Sequence, residues 1–410
     1  LPRCSKRGEA EFEFPFLAHA SMEPLNCVVQ ISKAGCEIWN GEQNQTGDQY
    51  AVSAVLGLRP DQVKLNQLFV GGSTGRRANP KSDYLLEGVF IAKALNSGAT
   101  AGVPIKLLWT REDDMTGGYY RPLYVHKLSA GIDAQGKPHA WQHRIVGQSI
   151  ATGTPFEPMI VKNGVDGTSV EGAADLPYSI PNLQVELHSP RPGIPIQWWR
   201  SVGSTHTAFS TETMVDELAV LAGKDAVAFR SELLDKFPRH KGVLKLAADK
   251  AGWGKPLSKG KPGERRGRGI AVHESFNTFV AQVAEVTVAP DGSFTVDRVV
   301  CAVDCGIIIN PDLVVAQMEG GIGYGLSAAL SGAITITNGA VDQSNFHDYL
   351  VLRLPEMPKV EVHTVTSSEN PSGVGEPATP VIAPAVANAL FAATGKRLRK
   401  LPFATSDLKA

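Results

Sequence analysis

Hydrophobic and polar positions change period several times along the chain, and each change marks an element. Residues 10–38 alternate in short runs, beginning with Ala10-Glu-Phe-Glu-Phe-Pro-Phe-Leu17, and predict short strands. A helix is expected over Thr46–Leu58, ended by Gly57 and Arg59-Pro60. Val63–Val70 alternates again as a strand and runs straight into Gly71-Gly-Ser-Thr-Gly-Arg-Arg77. From Tyr84 to Ser97, Leu85, Val89, Ala92 and Leu95 recur at helical spacing, with Gly98 placed to end the helix. Strands and long loops fill 104–200. Helices fill 209–251, with Glu212, Asp216 and Glu217 in acid-rich first turns that suit the helix dipole. Farther on, Ala281–Val288 and Phe294–Val300 flank the turn Pro290-Asp-Gly-Ser293, and a second hairpin turns at Asn338-Gly339. A glycine-rich helix over Val314–Leu330 lies between them, and the uncharged run Val381–Gly395 reads as a buried helix. Hairpins mixed with helices, without strict β-α alternation, predict an α+β fold with mixed sheets and packed helices.

Composition narrows this picture only slightly. The 410 residues hold 43% hydrophobic and 20% charged positions, ordinary for a globular chain with ample core. Lys plus Arg number 40 against 41 for Asp plus Glu, so no overall field favours nucleic acid. The basic Pro/Gly-rich stretch Gly254–Gly269 is the best internal boundary, separating a region 1–253 from a region 270–410. A solvated loop is the expected role for that stretch, ahead of a polyanion site. No apolar run reaches bilayer length, and Leu1-Pro-Arg-Cys-Ser-Lys-Arg7 has no signal-peptide core. Strand-like sequence follows at once, as expected for the middle of something longer. Cys4, Cys27, Cys36, Cys301 and Cys305 fit no disulfide framework, zinc pair or iron–sulfur spacing, and read as small buried thiols.

The candidate chemistry is carried by a few glycine-rich runs. Glu376 sits in Ser372-Gly-Val-Gly-Glu-Pro-Ala-Thr-Pro380, where Gly373 and Gly375 bare the backbone and Pro377 breaks any helix. A carboxylate on a tight loop facing a small-residue helix is poorly hydrated, which raises its pKa toward that of a general base. A turn glutamate capping the next helix is the plainer alternative, and these residues alone leave both open. Gly71-Gly72-Ser73-Thr74-Gly75 matches the G-x-S-x-G elbow of serine hydrolases and follows a strand, but Arg76-Arg-Ala-Asn-Pro80 is a poor helix start. The same loop reads as a nest of backbone N–H groups for an anionic cofactor, with Arg76 and Arg77 beside it. Gln317-Met-Glu-Gly-Gly-Ile-Gly-Tyr-Gly325 places four glycines in a helical pattern, costly unless a backbone or ligand comes close. Gln317 is the hydrogen-bonding candidate there. Trp198-Trp199-Arg200 reads as core beside a surface ion pair, or as a wall around a flat substrate.

In this order, Gly-Gly-x-x-Gly, Trp-Arg-Ser-Val-Gly, Asp-Cys-Gly-x-x-x-Asn-Pro, Gln-Met-Glu-Gly-Gly and Gly-Val-Gly-Glu-Pro resemble the molybdopterin-binding large subunits of the xanthine oxidase family. Ala18–Cys27, His273-Glu-Ser-Phe276 and Ser344–Tyr349 resemble the branch of isoquinoline 1-oxidoreductase β-subunits and related aldehyde dehydrogenases. The resemblance spans nearly the whole chain. It implies that Glu376 is the catalytic base. Gln43, 28 residues before Gly71 (71 − 43), falls on the glutamine contacting an oxygen of the molybdenum centre. Gly71, Gly72, Ser73, Thr74 and Gly75 fall on the loop beside the metal, Arg200 on the arginine whose backbone faces it, and Gln317 on a pterin-contacting glutamine. No side-chain metal ligand is implied, because the pterin dithiolene holds the molybdenum. The cytosine dinucleotide form of the pterin is expected.

Departures from the family pattern prune the substrates. Ser73 and Thr74 replace a glycine and a phenylalanine, implying a more polar or wider pocket. Carbon monoxide dehydrogenases place a copper-binding cysteine where Ser201 stands, and purine hydroxylases a glutamate where Ala78 stands. Aldehydes oxidised to acids, or N-heteroaromatic rings hydroxylated with water-derived oxygen, remain. The Met-Gly-Gln-Gly motif of full-length members is not found, so the chain is expected to be the C-terminal part of the molybdenum subunit. A second polypeptide would then complete the site, a small [2Fe-2S] subunit would carry electrons away, and a cytochrome is a possible acceptor. Compartment stays open, with a periplasmic or partner-mediated membrane association favoured. Two alternatives are a serine hydrolase using Ser73 and a non-catalytic partner chain.

Overall fold

The structure is a computed structural model describing residues 4–409. The alternating N-terminal runs form β1 (Lys6–Phe14), β2 (Asn26–Ile31) and β3 (Cys36–Asn40). Next come α1 (Gln45–Leu56), closed by left-handed Gly57, β4 (Val63–Gln67), α2 (Asp83–Leu95), β5 (Ile105–Leu108) and α3 (Arg111–Thr116). β6 (Tyr124–Ile132) and β7 (Pro138–Gly147) pair as a hairpin. α4 (Glu157–Ile160) and the short ladder of β8 (Val161–Lys162) and β9 (Val165–Asp166) lead to β10 (Asn182–His188). Three helices follow, α5 (Ser204–Ala222), α6 (Ala226–Leu233) and α7 (Pro238–Ala251). The remainder comprises β11 (Arg265–Ser275), β12 (Thr278–Val288), β13 (Phe294–Asp304), α8 (Pro311–Leu330), β14 (Ile336–Thr337), β15 (Ala340–Val341), β16 (Lys359–Thr364) and α9 (Thr379–Thr394).

Three four-stranded sheets result, ordered β1-β6-β7-β10, β4-β3-β2-β5 and β11-β12-β13-β16. Each is antiparallel apart from one parallel edge pair: β7 with β10, β3 with β4, and β13 with β16. A parallel neighbour needs a long crossover, and α1 and α8 supply it in two of the three cases. The α+β expectation is therefore met. One continuous core joins β1, β6 and α5 to β11–β13, α8 and α9, while β2–β5 and α2 enclose a smaller core of their own. Among the described residues no helix is long and apolar enough to cross a membrane.

Two local expectations need correction. Glu212, Asp216 and Glu217 are not first-turn acids, because α5 begins earlier, at Ser204. They are anchors instead. Glu212 meets Arg230 at 3.0 Å, Asp216 meets Arg397 at 2.8 Å and Glu217 meets Arg399 at 2.9 Å. The basic stretch 254–269 also turns into strand at Arg265, where Arg266 and Arg268 pair with Asp297 and Glu285. Their charge is neutralised within the sheet.

α9 sets the position of the site. Val381, Ile382, Val386 and Leu390 are fully buried, each worth about 1.5–3 kcal/mol of burial. The helix fits because small residues face it. A Cβ on Gly321 of α8 would stand 2.8 Å from that of Ala378, and one on Gly325 would strike the Thr379 carbonyl. Gly321 and Gly325 thus serve helix packing. Gly320 points elsewhere, with Arg200 Nη1 4.0 Å from where its Cβ would be.

Candidate active site

Four chain segments meet at the edge of the α8–α9 pair. The first is the loop after β4, where Gly72, Thr74 and Gly75 have φ of 97°, 54° and 106°. That conformation is free for glycine and strained for threonine. The second carries Gln43, whose backbone N–H donates to the Arg77 carbonyl at 3.3 Å. Gln43 Oε1 accepts from the Ser73 hydroxyl in a short contact and from Gly75 N–H at 3.2 Å. Gln43 itself is exposed.

Arg200 ties this loop to the other two segments. Its N–H donates to the Thr74 carbonyl at 3.0 Å. Its guanidinium donates to the Gly375 carbonyl, from Nε at 2.7 Å, and to Gln317 Oε1 at 3.1 Å. Ser201 and Val202 then turn left-handed, with φ of 77° and 48°. Such non-glycine conformations cost about 1–3 kcal/mol each and persist only where surroundings hold them. The turn aims the Ser201 N–H at Glu376 Oε1, 3.0 Å away, while the Ser201 hydroxyl donates to the Glu376 carbonyl at 2.7 Å. Tyr324 of α8 braces the back, donating to Thr74 Oγ1 at 3.0 Å and stacking on Trp199 at 4.4 Å between ring centres.

Glu376 does not cap α9 with its side chain; the carboxylate turns back to Ser201. It is half-buried, and loss of hydration raises its pKa above 4.5. The Ser201 N–H and the Arg200 charge oppose that rise. Oε1 is held and Oε2 is open, as a proton acceptor requires.

All nine residues singled out from the sequence therefore lie along one connected path, from Gln43 through Gly71–Gly75 and Arg200 to Gln317 and Glu376. Arg76 and Arg77 do not join them. Both are buried, Arg76 on Asp83 at 2.5 Å and Arg77 on the Gly41 carbonyl at 3.2 Å, so the nest has no arginine at its mouth. Ser73 is buried under Gln43 and followed by turns rather than a helix, so it is no nucleophile elbow. Sequence inspection missed Tyr324, and also Glu171, which binds the turn after Ser201 (2.7 Å to Gly203 N–H). A glutamate directly before Gly172 carries no motif of its own.

An apolar cavity of about 650 Å³ is lined by Arg200 together with Gly71, Gly72, Thr74, Gly320 and Tyr324. Glu376, Gln43 and Gln317 are not on its wall. The loop residues Gly71, Gly72 and Thr74 and Arg200 therefore border both this cavity and the hydrogen-bonded path to Glu376.

Comparison with known proteins gives this arrangement its context. A family model described as molybdopterin cofactor-binding domain matches residues 2–234, and a second of the same description matches 245–358. Isoquinoline 1-oxidoreductase subunit beta of Brevundimonas diminuta is 31% identical over 96% of this chain and 49% of its own length. The membrane-bound aldehyde dehydrogenase of Gluconacetobacter polyoxogenes is 30% identical over 98% of this chain and 53% of its own. The chain thus spans about half the length of these relatives. The solved quinoline 2-oxidoreductase of Pseudomonas putida 86 superposes with a TM-score of 0.81 over 98% of this chain and 75% of that one. Aldehyde oxidoreductase of Desulfovibrio gigas gives 0.76 over 98% and 60%. At 13% and 16% identity these two establish the fold. The chain belongs to the xanthine oxidase family of molybdopterin-binding large subunits.

The residues fit that cofactor. At Gly72, Gly320 and Gly375 a Cβ would meet no atom closer than 3.7 Å, so the bare backbone there can be approached closely. The Gln43 and Gln317 side chains add amide groups suited to a hydrogen-bonding heterocycle.

Proposed function

We propose that this chain forms part of the catalytic centre of a molybdenum hydroxylase, oxidising an aldehyde to its acid or hydroxylating an N-heteroaromatic ring. The single observation carrying this reading is Glu376: a desolvated carboxylate with one oxygen clamped by Ser201 N–H and the other open, beside the Gly71–Gly75 loop. The names of the relatives, isoquinoline 1-oxidoreductase, aldehyde dehydrogenase and nicotinate dehydrogenase, favour these two substrate classes.

Gln43, Gly71–Gly75, Arg200 and Gln317 would hold the cofactor, probed first as the cytosine dinucleotide form. When bound, the molybdopterin supplies the two-electron redox chemistry. The chain's own task is proton handling and positioning. Glu376 takes the proton from the attacking water-derived oxygen at Oε2, and the Ser201 N–H keeps Oε1 from rotating into its place. Arg200 fixes the height of the Glu376 loop through the Gly375 carbonyl. Thr74, tied to Tyr324, leaves the space over the substrate open. The remaining half of the subunit and a small [2Fe-2S] partner would complete the electron path, with a cytochrome as a candidate acceptor.

Elemental analysis of the purified complete enzyme, combined with turnover of an aldehyde and an N-heteroaromatic panel, tests the proposal. Near-stoichiometric molybdenum with turnover of either class is expected. A molybdenum content near zero in active material would contradict it.

A further inference from the structure

A second, much smaller cavity adjoins the turn that carries Ser201. It has a volume of about 10 Å³, and Arg121, Gln197, Trp199, Val202, Gly203 and His206 are among its walls. Arg121 is 3% exposed, and Gln197 and His206 are 1% exposed. Each of the three carries one polar atom with no hydrogen-bond partner: Arg121 Nε, Gln197 Oε1 and His206 Nε2. Buried polar atoms are costly to leave unpaired, and three around one cavity point to a shared partner.

Their remaining contacts decide which of the three atoms donates. Arg121 Nε always carries hydrogen. Gln197 donates through Nε2 to the Gly75 carbonyl at 2.5 Å, which fixes the amide and leaves Oε1 an acceptor. His206 ends a chain of three buried histidines, His143, His126 and His206, which loss of hydration keeps neutral. The Ser210 hydroxyl donates to the Thr207 carbonyl at 3.1 Å, so its oxygen accepts from His126 Nδ1 at 3.0 Å. His143 Nε2, also 3.0 Å from His126 Nδ1, faces the same proton as an acceptor. His126 Nε2 is then bare and accepts from His206 Nδ1 at 3.1 Å. That leaves His206 Nε2 without a proton, as a second acceptor in the cavity wall.

One donor and two acceptors are the complement of a water molecule, and buried waters make about three hydrogen bonds in spaces of about this size. An anion would meet two acceptors, and a metal ion would meet the Arg121 N–H. We propose that one internal water is bound here, accepting from Arg121 Nε and donating to Gln197 Oε1 and His206 Nε2. Gln197 holds the Gly75 carbonyl, and His206 N–H donates to the Gly203 carbonyl at 3.1 Å. The water therefore bridges the Gly71–Gly75 loop to the turn that presents Ser201 N–H, in addition to the Arg200 contacts. The bridge is independent of which group serves as the base.

A crystal structure of the complete enzyme, at a resolution that shows ordered solvent, tests the proposal. One solvent peak is expected within about 3.2 Å of all three atoms. A structure with no peak there, or with a peak that misses any of the three, would overturn it. Crystals soaked in sodium bromide should show no anomalous signal at the site; bound bromide would make it an anion site and overturn the assignment to water. In a neutron structure of deuterium-exchanged crystals, the two deuterons should point to Gln197 Oε1 and His206 Nε2. A deuteron carried by His206 Nε2 itself would reverse the histidine chain and contradict the proposal. Gln197→Met keeps the length of the side chain and removes the acceptor, so the peak should be lost. An undiminished peak in that variant would show that Gln197 does not hold the water.

Discussion

Glu212 and Glu376 both sit where α5 and the turn before it meet the β11–β13 and α9 layers, and the fold treats them in opposite ways. Glu212 is saturated. Its oxygens accept from Arg230 Nε at 3.0 Å, Val272 N–H at 2.9 Å and the Tyr178 hydroxyl at 2.5 Å, all buried. Glu376 receives one backbone N–H, and its nearest cation, Arg200, directs its guanidinium to a carbonyl and an amide. A buried charge with both oxygens engaged and an arginine beside it holds structure. A half-buried charge with an open oxygen and no ion pair can accept a proton.

The comparison can be broken in several places. Arg230→Ala should do most harm to stability, because it leaves Glu212 in the core without its cation and Asp216 with Arg397 alone. A loss of about 3–5 kcal/mol is expected in urea denaturation, with turnover of the folded fraction unchanged. Arg200→Lys keeps the charge but not the planar fork to Gly375 and Gln317. It should lower kcat/KM by about 1.5–3 kcal/mol, roughly 10–150-fold, with little change in melting temperature. The reverse pattern for this pair would erase the distinction between the two regions. Gly321→Ala drives a methyl into Ala378, two residues beyond Glu376, and should cost about 1–3 kcal/mol of stability by thermal unfolding. Smallest is Ser73→Ala, which removes one of two donors to Gln43 Oε1. An effect of about 0.5–1.5 kcal/mol on kcat/KM is expected, and a fluorophosphonate should label neither form.

Much of the site was legible because backbone chemistry marks it. Gly72 and Gly75 occupy left-handed positions, and the hairpin at Asn338-Gly339 has φ of 53° and 83°, as its residues predict. The helices around the site were placed by periodicity, although α8 begins at Pro311 because Asn310 caps it through the Leu313 N–H. What stayed hidden depends on contacts distant in sequence. Glu212 looked like a first-turn acid because nothing nearby announces Arg230. Arg76 and Arg77 looked like flanks of an anion-binding nest because their partners lie on α2 and just past β3. The strain at Ser201 and Val202 has no signature, since neither residue type favours that conformation. Glu171 was silent because the N–H groups it accepts from, on Gly203 and Ser204, lie far along the chain.

Glu376→Gln in enzyme of unchanged molybdenum content tests the central claim most directly. The amide preserves shape and the Ser201 N–H bond but cannot take a proton. In wild type, kcat/KM should rise with pH through an ionisation above 4.5, the direction in which burial moves Glu376. In the variant that ionisation should vanish and turnover per molybdenum should fall by about 10²–10⁴-fold. Turnover within a few-fold of wild type, with the same acid-side profile, would contradict the account.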